Sequence, residues 1–262
     1  MTGALIQARM NSTRLPGKVL RLIGDREMLS CMVERVRAAK MIDSVIVITS
    51  TGGADDPIAD HCKAKKIPFF RGSENDVLDR YYQAASKFKV DTVVRLTGDC
   101  PLIDPGIIDG VVEVYNKGNY DFVSNALPDK RTTPDGMDVE VFSVKRLDQA
   151  WRDAKKPSFR EHVTFYFWQN PSIFSIGEYR LAEDLSHYRL TVDYEEDFQV
   201  VNAIFSNLYK KDPLFSVFDI INFLRSHPEI YKLNSQIEAN LGWKKSIAED
   251  KKWADDKAKE NR

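Results

Sequence analysis

Residues 4–18 have the sequence ALIQARMNSTRLPGK, in which a short apolar run changes abruptly into a polar and basic loop. The run from Ala4 to Ala8 predicts a buried β-strand. Three cations follow it closely, namely Arg9, Arg14 and Lys18. Ligands of parallel sheets lie beyond the carboxyl ends of the strands, so cations at that point predict a site for a phosphorylated ligand.

The rest of the first half alternates short apolar runs with amphipathic helical patterns. Helices are expected around Leu29 to Val36, Pro57 to Ala64 and Val77 to Phe88, and strands at Val45 to Thr49, Ile67 to Phe70 and Thr92 to Leu96. This order predicts an α/β protein with a Rossmann-like (GT-A-type) fold, in which helices sandwich a mostly parallel sheet.

The second half predicts a small β-containing insertion and more helices. Further strands are expected at Asp121 to Asn125, Asp138 to Ser143, Ile173 to Tyr179 and Arg189 to Val192. No repeat or linker divides the chain, so we expect one domain over residues 1–240 and a charged C-terminal helix or tail over 241–262. We expect that tail to be solvated; docking through Trp243 and Ile247 is the alternative.

Composition excludes several classes of protein. The 262 residues include 38 Lys and Arg against 39 Asp and Glu, a net charge of -1, which argues against a nucleic-acid-binding protein. No apolar run is long enough to cross a membrane, and the N-terminus lacks a signal-peptide pattern. The three cysteines form no C-x-x-C pair, which fits a reducing cytoplasm. We therefore expect a cytoplasmic protein with no nucleic acid or membrane as partner.

The basic loop has the groups that a triphosphate requires. Guanidinium groups form paired hydrogen bonds with phosphate oxygens, Lys18 supplies a point charge, and Ser12 supplies a hydroxyl. The loop is not a Walker A motif, because Lys18 precedes Val19 and no glycine stands five positions before Gly17. The alternative, that these cations are merely solvated, is less consistent with their position directly after a buried strand.

Two aspartates are candidate metal ligands. Asp99 follows Gly98 at the end of a predicted strand, where a carboxylate can hold Mg²⁺ on substrate phosphates. Asp193 ends another predicted strand, but it could instead cap the next helix with Glu196 as its partner. Asp104 stands just before a proline, which predicts a helix N-cap and no metal role.

The region between these aspartates contains further candidates for substrate contacts. Asp138 and Glu140 would share one face of a strand, and Glu140 lies between two valines, so it needs a partner such as an arginine or a substrate hydroxyl. The spacing of Ser158 and Glu161 predicts a capping box. The remaining candidates are Arg160 and His162, which flank Glu161 and have no capping role.

The segments 6–20 and 95–105, together with the Val-Asp step at Asp193, resemble the cytidylyltransferases that activate acidic sugars. This family includes the CMP-acylneuraminate and CMP-Kdo synthetases, and the similarity is greatest to its spore coat polysaccharide biosynthesis protein F branch. That branch usually has Gly where this chain has Asn11, a residue that also tolerates positive φ. The resemblance implies that Asp99 and Asp193 bind Mg²⁺ and that the protein forms a homodimer.

The resemblance also implies which residues contact the two substrates. The nucleotide would be bound by Ala8, Arg9, Ser12, Arg14, Lys18, Arg71, Ser73 and Asp76, and the sugar by Asp138, Glu140, Arg160 and His162.

The expected reaction couples CTP to an acidic sugar of the sialic, legionaminic, pseudaminic or Kdo type. A sugar hydroxyl would attack the α-phosphorus, giving a CMP-sugar and pyrophosphate for surface polysaccharide synthesis, with Arg9, Lys18 and Asp99 as catalytic residues. One alternative is a nucleotide-sugar-dependent glycosyltransferase, although Gly98-Asp99-Cys100 lacks the expected D-x-D pattern. The other is a non-catalytic nucleotide-binding subunit, which the cations and acids argue against.

Overall fold

A seven-stranded sheet lies at the centre of the computed structural model, which describes residues 1–238, 246 and 248–254. The strands are β1 (Thr2–Gln7), β2 (Leu22–Ile23), β3 (Arg26–Glu27), β4 (Ser44–Ser50), β5 (Phe69–Gly72), β6 (Thr92–Thr97), β7 (Phe122–Ser124), β8 (Glu140–Ser143) and β9 (Ile176–Glu178). Their order in the sheet is β5-β4-β1-β6-β8-β7-β9, while β2 and β3 pair separately. Strands β5, β4, β1 and β6 are parallel, whereas β8 is antiparallel to both of its neighbours.

Helices cover both faces of this sheet. They are α1 (Met28–Arg37), α2 (Asp56–Ala64), α3 (Val77–Lys87), α4 (Pro105–Lys117), α5 (Val144–Asp153), α6 (Pro157–His162), α7 (Phe165–Trp168), α8 (Glu195–Leu208), α9 (Val217–Ser226) and α10 (Pro228–Tyr231). Successive residues of a strand point to opposite faces, so Ala4 and Ile6 pack into one core and Leu5 into the other. The first core includes α1, α2, α4, α8 and α9, and the second includes α3, α5, α6 and α7. The predicted α/β sandwich is confirmed.

The expected strand at Arg189 to Val192 is wrong. This segment makes a single β-bridge, between Arg189 and Asp135. Its peptide groups instead bind loops at the carboxyl edge of the sheet, since the N–H of Leu190 donates to Asp135 O at 2.6 Å and that of Val192 to Asp99 O at 2.8 Å. The local sequence predicted a strand here because it cannot show that the hydrogen-bond partners are loops.

The capping box expected at Ser158 and Glu161 is also wrong. Helix α6 begins at Pro157, because proline suits the first helical position, and Ser158 therefore lies inside the helix. The backbone N–H and hydroxyl of Ser158 donate to the Asp250 carboxylate at 3.0 and 2.6 Å. The helix ends before Val163, whose φ is 58°, and does not continue through the aromatic run that follows.

The described part of the C-terminal segment contacts the body of the protein. Ser246 and residues 248–254 have helical backbone, and Asp250 binds Ser158 as described above. A fully solvated tail therefore does not describe these residues. Trp243 and Ile247, the residues of the alternative in which this segment docks, lie outside the described residues. None of the helices that the structure describes is long and apolar enough to cross a membrane.

The N-cap predicted at Asp104 is confirmed, and its removal should destabilise the fold. One carboxylate oxygen accepts the N–H of Gly106 at 2.6 Å and the other that of Val217 at 2.7 Å, joining α4 to α9. We expect Asp104→Ala to lower the free energy of unfolding by about 2–3 kcal/mol, because a cap and a buried acceptor are lost together. Urea denaturation measures this change. Asp104→Asn keeps one acceptor oxygen and should lose less; equal losses would contradict the two-bond account.

Candidate active site

Three chain segments meet at the carboxyl edge of β1 and β6. These strands are parallel neighbours with Gln7 opposite Thr97, so the basic loop after β1 and the Gly98-Asp99 turn after β6 leave the sheet side by side. The segment before α8 joins them through the hydrogen bond from Val192 to Asp99 O. The fold therefore places the basic loop, Asp99 and Asp193 together. The sequence predicted this position, at the ends of parallel strands, for the basic loop and Asp99.

Two glycines permit this convergence. A Cβ at Gly98 would lie 3.0 Å from the carbonyl oxygen of Gln7, closer than a side chain is normally tolerated. Gly17 has a φ of 73°, and its N–H donates to Met10 O at 2.8 Å, which closes the basic loop. The closed loop directs Lys18 back toward the strand ends.

Lys18 is the centre of the resulting cluster. Its Nζ donates to Val192 O at 2.6 Å, to Asp193 Oδ1 at 2.8 Å and to Asp99 Oδ2 at 3.1 Å, and only 7% of the side chain is exposed. Burial alone would lower the pKa of Lys18, but the two carboxylates raise it above its usual value. Burial opposes ionisation of Asp99, yet Lys18 and a hydrogen bond from Thr97 lower the pKa of Asp99 to about 2. Lys18, Asp99 and Asp193 are therefore all charged at neutral pH.

Asp193 has two further cationic partners. Its Oδ2 lies 2.7 Å from Arg14 and 3.2 Å from Arg189. Asp193 does not cap α8, because the fully buried carboxylate of Asp197 accepts the N–H groups of Asp193 and Tyr194 at 2.9 and 3.0 Å. The alternative role of Asp193, as a helix cap with Glu196 as its partner, is therefore wrong. The side chain of Asp193 contacts the cations of the cluster instead.

Arg189 and Asp197 are site residues that sequence reasoning missed. The guanidinium of Arg189 donates twice to Asp197, at 2.8 and 3.0 Å, as well as to Asp135 at 3.0 Å. These bonds fix the backbone that presents Asp193. The available signal was the position of Asp197 in the first turn of α8, where acids favour the helix N-terminus.

Two adjoining cavities open beside the cluster. The larger has a volume of about 560 Å³ and the smaller about 270 Å³, and both are lined by Arg9, Arg14, Asp99 and Asp193. The larger is also lined by Ala8, Ser12, Thr13, Lys18, Tyr194, Ser246 and Glu249. The smaller is also lined by Arg95, Asp135, Asp138, Glu140, His162, Thr164 and Thr191.

The smaller cavity has paired charges on its wall. Arg95 forms an ion pair with Glu140, which also accepts the Thr164 hydroxyl at 2.8 Å. The expectation that Glu140 has an arginine partner is confirmed. Asp138 accepts from Arg131 at 2.7 Å, and burial with the nearby Asp138 charge raises the pKa of Asp135 to about 6.

His162 lines the smaller cavity as a neutral ring. Its Nε2 lies 2.8 Å from Ser246 Oγ, and the ring stacks on Phe165. Burial lowers the pKa of His162 to about 4, so the ring is uncharged at neutral pH. Ser246 also donates to Glu161 at 2.9 Å. Ser246 lines the larger cavity, so the C-terminal segment supplies part of that cavity's wall, a contribution that its charged composition did not reveal.

Four predicted substrate contacts line neither cavity, because the fold uses their polar groups. Arg71 donates to Ser50 O and Gly52 O at 2.8 and 2.9 Å. Ser73 accepts the N–H of Asp76 at 3.0 Å, and Asp76 caps α3 by accepting the N–H of Asp79 at 2.9 Å. Arg160 binds the other oxygen of Asp76 and the carbonyl of Trp151. Their contacts with nucleotide and sugar therefore stay predictions from the sequence.

The donor set at the cluster fits Mg²⁺. Asp99 and Asp193 offer hard carboxylate oxygens, and Mg²⁺ typically takes one or two carboxylates together with substrate phosphates. Within the described ranges, no group of three or more His, Cys, Asp or Glu side chains forms a self-sufficient metal site. A metal held here would therefore depend on oxygens from a ligand.

Comparison with known proteins gives consistent matches. The family model for cytidylyltransferases matches residues 3–237. The chain is 34% identical over 234 residues to the spore coat polysaccharide biosynthesis protein SpsF of Bacillus subtilis, covering 86% of this chain and 94% of that protein. These matches confirm the family resemblance inferred from the sequence.

Solved structures agree with this result. A cytidylyltransferase from Leptospira borgpetersenii serovar Hardjo-bovis is 38% identical, with a TM-score of 0.83 and coverage of 91% of this chain and 98% of that one. A CMP:2-keto-3-deoxy-manno-octonic acid synthetase complexed with CTP has a TM-score of 0.60 at 16% identity, covering 78% and 98% of the two chains. The second likeness concerns the fold alone.

The raised pKa of Asp135 predicts a pH dependence of stability. Because the folded chain holds the Asp135 proton more tightly than the unfolded chain, the free energy of unfolding should fall as pH rises from about 4 to about 6. We expect Asp135→Asn to reduce this fall by up to about 3 kcal/mol, the value of about two pKa units. Urea denaturation at several pH values tests this; identical pH profiles for both proteins would contradict it.

Proposed function

We propose, from the premise that the chain belongs to the cytidylyltransferase family, that it transfers the cytidylyl group of CTP to a sugar hydroxyl and releases pyrophosphate. The observation that carries this proposal is the position of Lys18 between Asp99 and Asp193, beside Arg14. Cations and acids that meet at the open edge of a sheet are suited to a nucleotide with its metal.

CTP would occupy the larger cavity, where Arg9, Arg14 and Lys18 can neutralise the triphosphate and the departing pyrophosphate. Mg²⁺, held by Asp99 and Asp193, would supply charge neutralisation on the phosphates. Ala8 and Ser12 line the same cavity and would contact the nucleotide. Arg71, Ser73 and Asp76 line neither cavity, so they are left out of the proposed contacts.

The acceptor would occupy the smaller cavity, which adjoins the larger one at Asp99 and Asp193. A sugar bound there would have a hydroxyl next to the proposed metal ligands, which suits in-line attack on the α-phosphorus, a reaction in which positioning and charge neutralisation dominate. The carboxylates of Asp138 and Glu140 can accept hydrogen bonds from sugar hydroxyls, and the neutral ring of His162 can either donate to a hydroxyl or accept from one.

The proposed acceptor class is an acidic sugar, for synthesis of a surface polysaccharide. It is supported by the similarity to SpsF, a spore coat polysaccharide biosynthesis protein, and by the fold shared with a synthetase for CMP:2-keto-3-deoxy-manno-octonic acid. From the same resemblance we propose Mg²⁺ as the metal, a homodimer as the working form and the cytoplasm as its location.

Removal of the Asp99 carboxylate should abolish turnover while leaving the fold intact. We expect Asp99→Asn to reduce pyrophosphate release from CTP and Mg²⁺ by at least about 10²-fold, the effect of losing one electrostatic contact in the transition state. The assay uses a panel of sugar acids that includes Kdo. Asp60→Asn, at an exposed position, is the matched control and should leave turnover unchanged. Turnover retained in Asp99→Asn, or absent from the unmodified protein with every acceptor, would refute the proposal.

Asp138 lines only the smaller cavity, so its substitution should separate the two substrates. We expect Asp138→Asn to raise KM for the acceptor about tenfold, because one hydrogen bond to a charged group is weakened. KM for CTP should stay within about twofold of its original value, because Asp138 does not line the cavity assigned to CTP. Steady-state kinetics with each substrate varied in turn provides the test. A rise in KM for CTP alone would reverse the assignment of the two cavities.

A further inference from the structure

We propose that Lys18 and Arg14 are exchangeable counter-ions of Asp99 and Asp193. The two carboxylates would then bind a divalent metal strongly only when a nucleotide triphosphate has become the ion-pair partner of Lys18 and Arg14. This inference deepens the proposed function and rests on it for the identity of the nucleotide. It concerns the order in which metal and nucleotide can bind.

The carboxylate oxygens are already neutralised by cations of the chain itself. Lys18 Nζ lies within 3.1 Å of Asp99 Oδ2 and 2.8 Å of Asp193 Oδ1. The second oxygen of Asp193 lies 2.7 Å from Arg14 and 3.2 Å from Arg189. The remaining oxygen, Asp99 Oδ1, accepts a weak contact from the Cys100 thiol at 3.6 Å. Three of the four oxygens therefore have a positively charged neighbour.

These cations oppose the entry of a metal ion that comes alone. Two positive groups near one site repel each other strongly where water is largely excluded, and Lys18 is only 7% exposed. A metal ion can reach the pair of carboxylates only if the ammonium group moves.

The cations differ in their freedom to move. Arg189 is anchored by two bonds to the fully buried Asp197, so it stays in place. Lys18 has a flexible four-carbon stem, and the side chain of Arg14 is 34% exposed. Both line the larger cavity, where triphosphate oxygens would offer them new anionic partners. The exchange conserves ion pairing, since phosphate pairs with Lys18 and Arg14 while the metal replaces them at the carboxylates.

The test measures metal binding without turnover. Mn²⁺ is titrated into the full-length protein without nucleotide, and free Mn²⁺ is followed by its electron paramagnetic resonance signal. The unmodified protein should bind Mn²⁺ weakly, and Lys18→Met should bind it at least about tenfold more tightly, because the repelling charge is gone. Lys18→Arg keeps the charge and should resemble the unmodified protein, as should Lys210→Met at an exposed position. Addition of a non-hydrolysable CTP analogue should tighten Mn²⁺ binding to the unmodified protein.

Two results would overturn the inference. One is Mn²⁺ binding to the unmodified protein that is equally tight with and without the analogue. The other is unchanged Mn²⁺ affinity in Lys18→Met with its fold verified by thermal unfolding. If that variant does not fold, Arg14→Met tests the same idea at a more exposed position, with a smaller gain in affinity expected. The nucleotide-free titration does not depend on turnover, so its failure is distinguishable from the absence of cytidylyl transfer.

Discussion

The ion pairs of Lys18 with Asp99 and Asp193 are the constraint on which the site depends. They join residues that are 81 and 175 positions apart in the chain, and they do so at the edge where β1 and β6 end. Isolated buried charges are costly, and the two carboxylates are tolerated side by side because Lys18 neutralises both and Arg14 and Arg189 also pair with Asp193. The surrounding contacts, including the hydrogen bonds from Arg189 to Asp197, hold these charged groups close together.

This organisation separates two kinds of arginine. Arg95, Arg131 and Arg189 are paired with carboxylates on the walls and maintain the shape of the cavities. Arg9 and Arg14 belong to the loop that closes at Gly17, where they are more exposed. The first group gives the site a fixed frame, and the second is available to an anionic ligand.

The sequence predicted those features whose causes are local. Strand-to-helix alternation predicted the sheet, Gly98-Asp99 predicted an acid at a strand end, and Asp104 before Pro105 predicted a cap. Features decided by distant contacts were not predictable in this way. Ser158 binds Asp250, and Arg160 binds Asp76, because helices far apart in the sequence pack together. The segment from Arg189 to Val192 is not a strand of the sheet, because its hydrogen bonds go to loops that the local sequence cannot identify.

The reversed direction of β8 has a consequence for how specificity can diverge. Because β8 is antiparallel to β6, its first residue, Glu140, faces Arg95 near the edge where the parallel strands finish. One wall of the smaller cavity is thus built on the start of a rigid strand, whereas the basic wall of the larger cavity is built on a loop. Under the proposed assignment of the smaller cavity to the acceptor, single replacements around Glu140 would alter acceptor choice and leave the cluster of Lys18, Asp99 and Asp193 intact, which makes the start of β8 a target for redesigning selectivity.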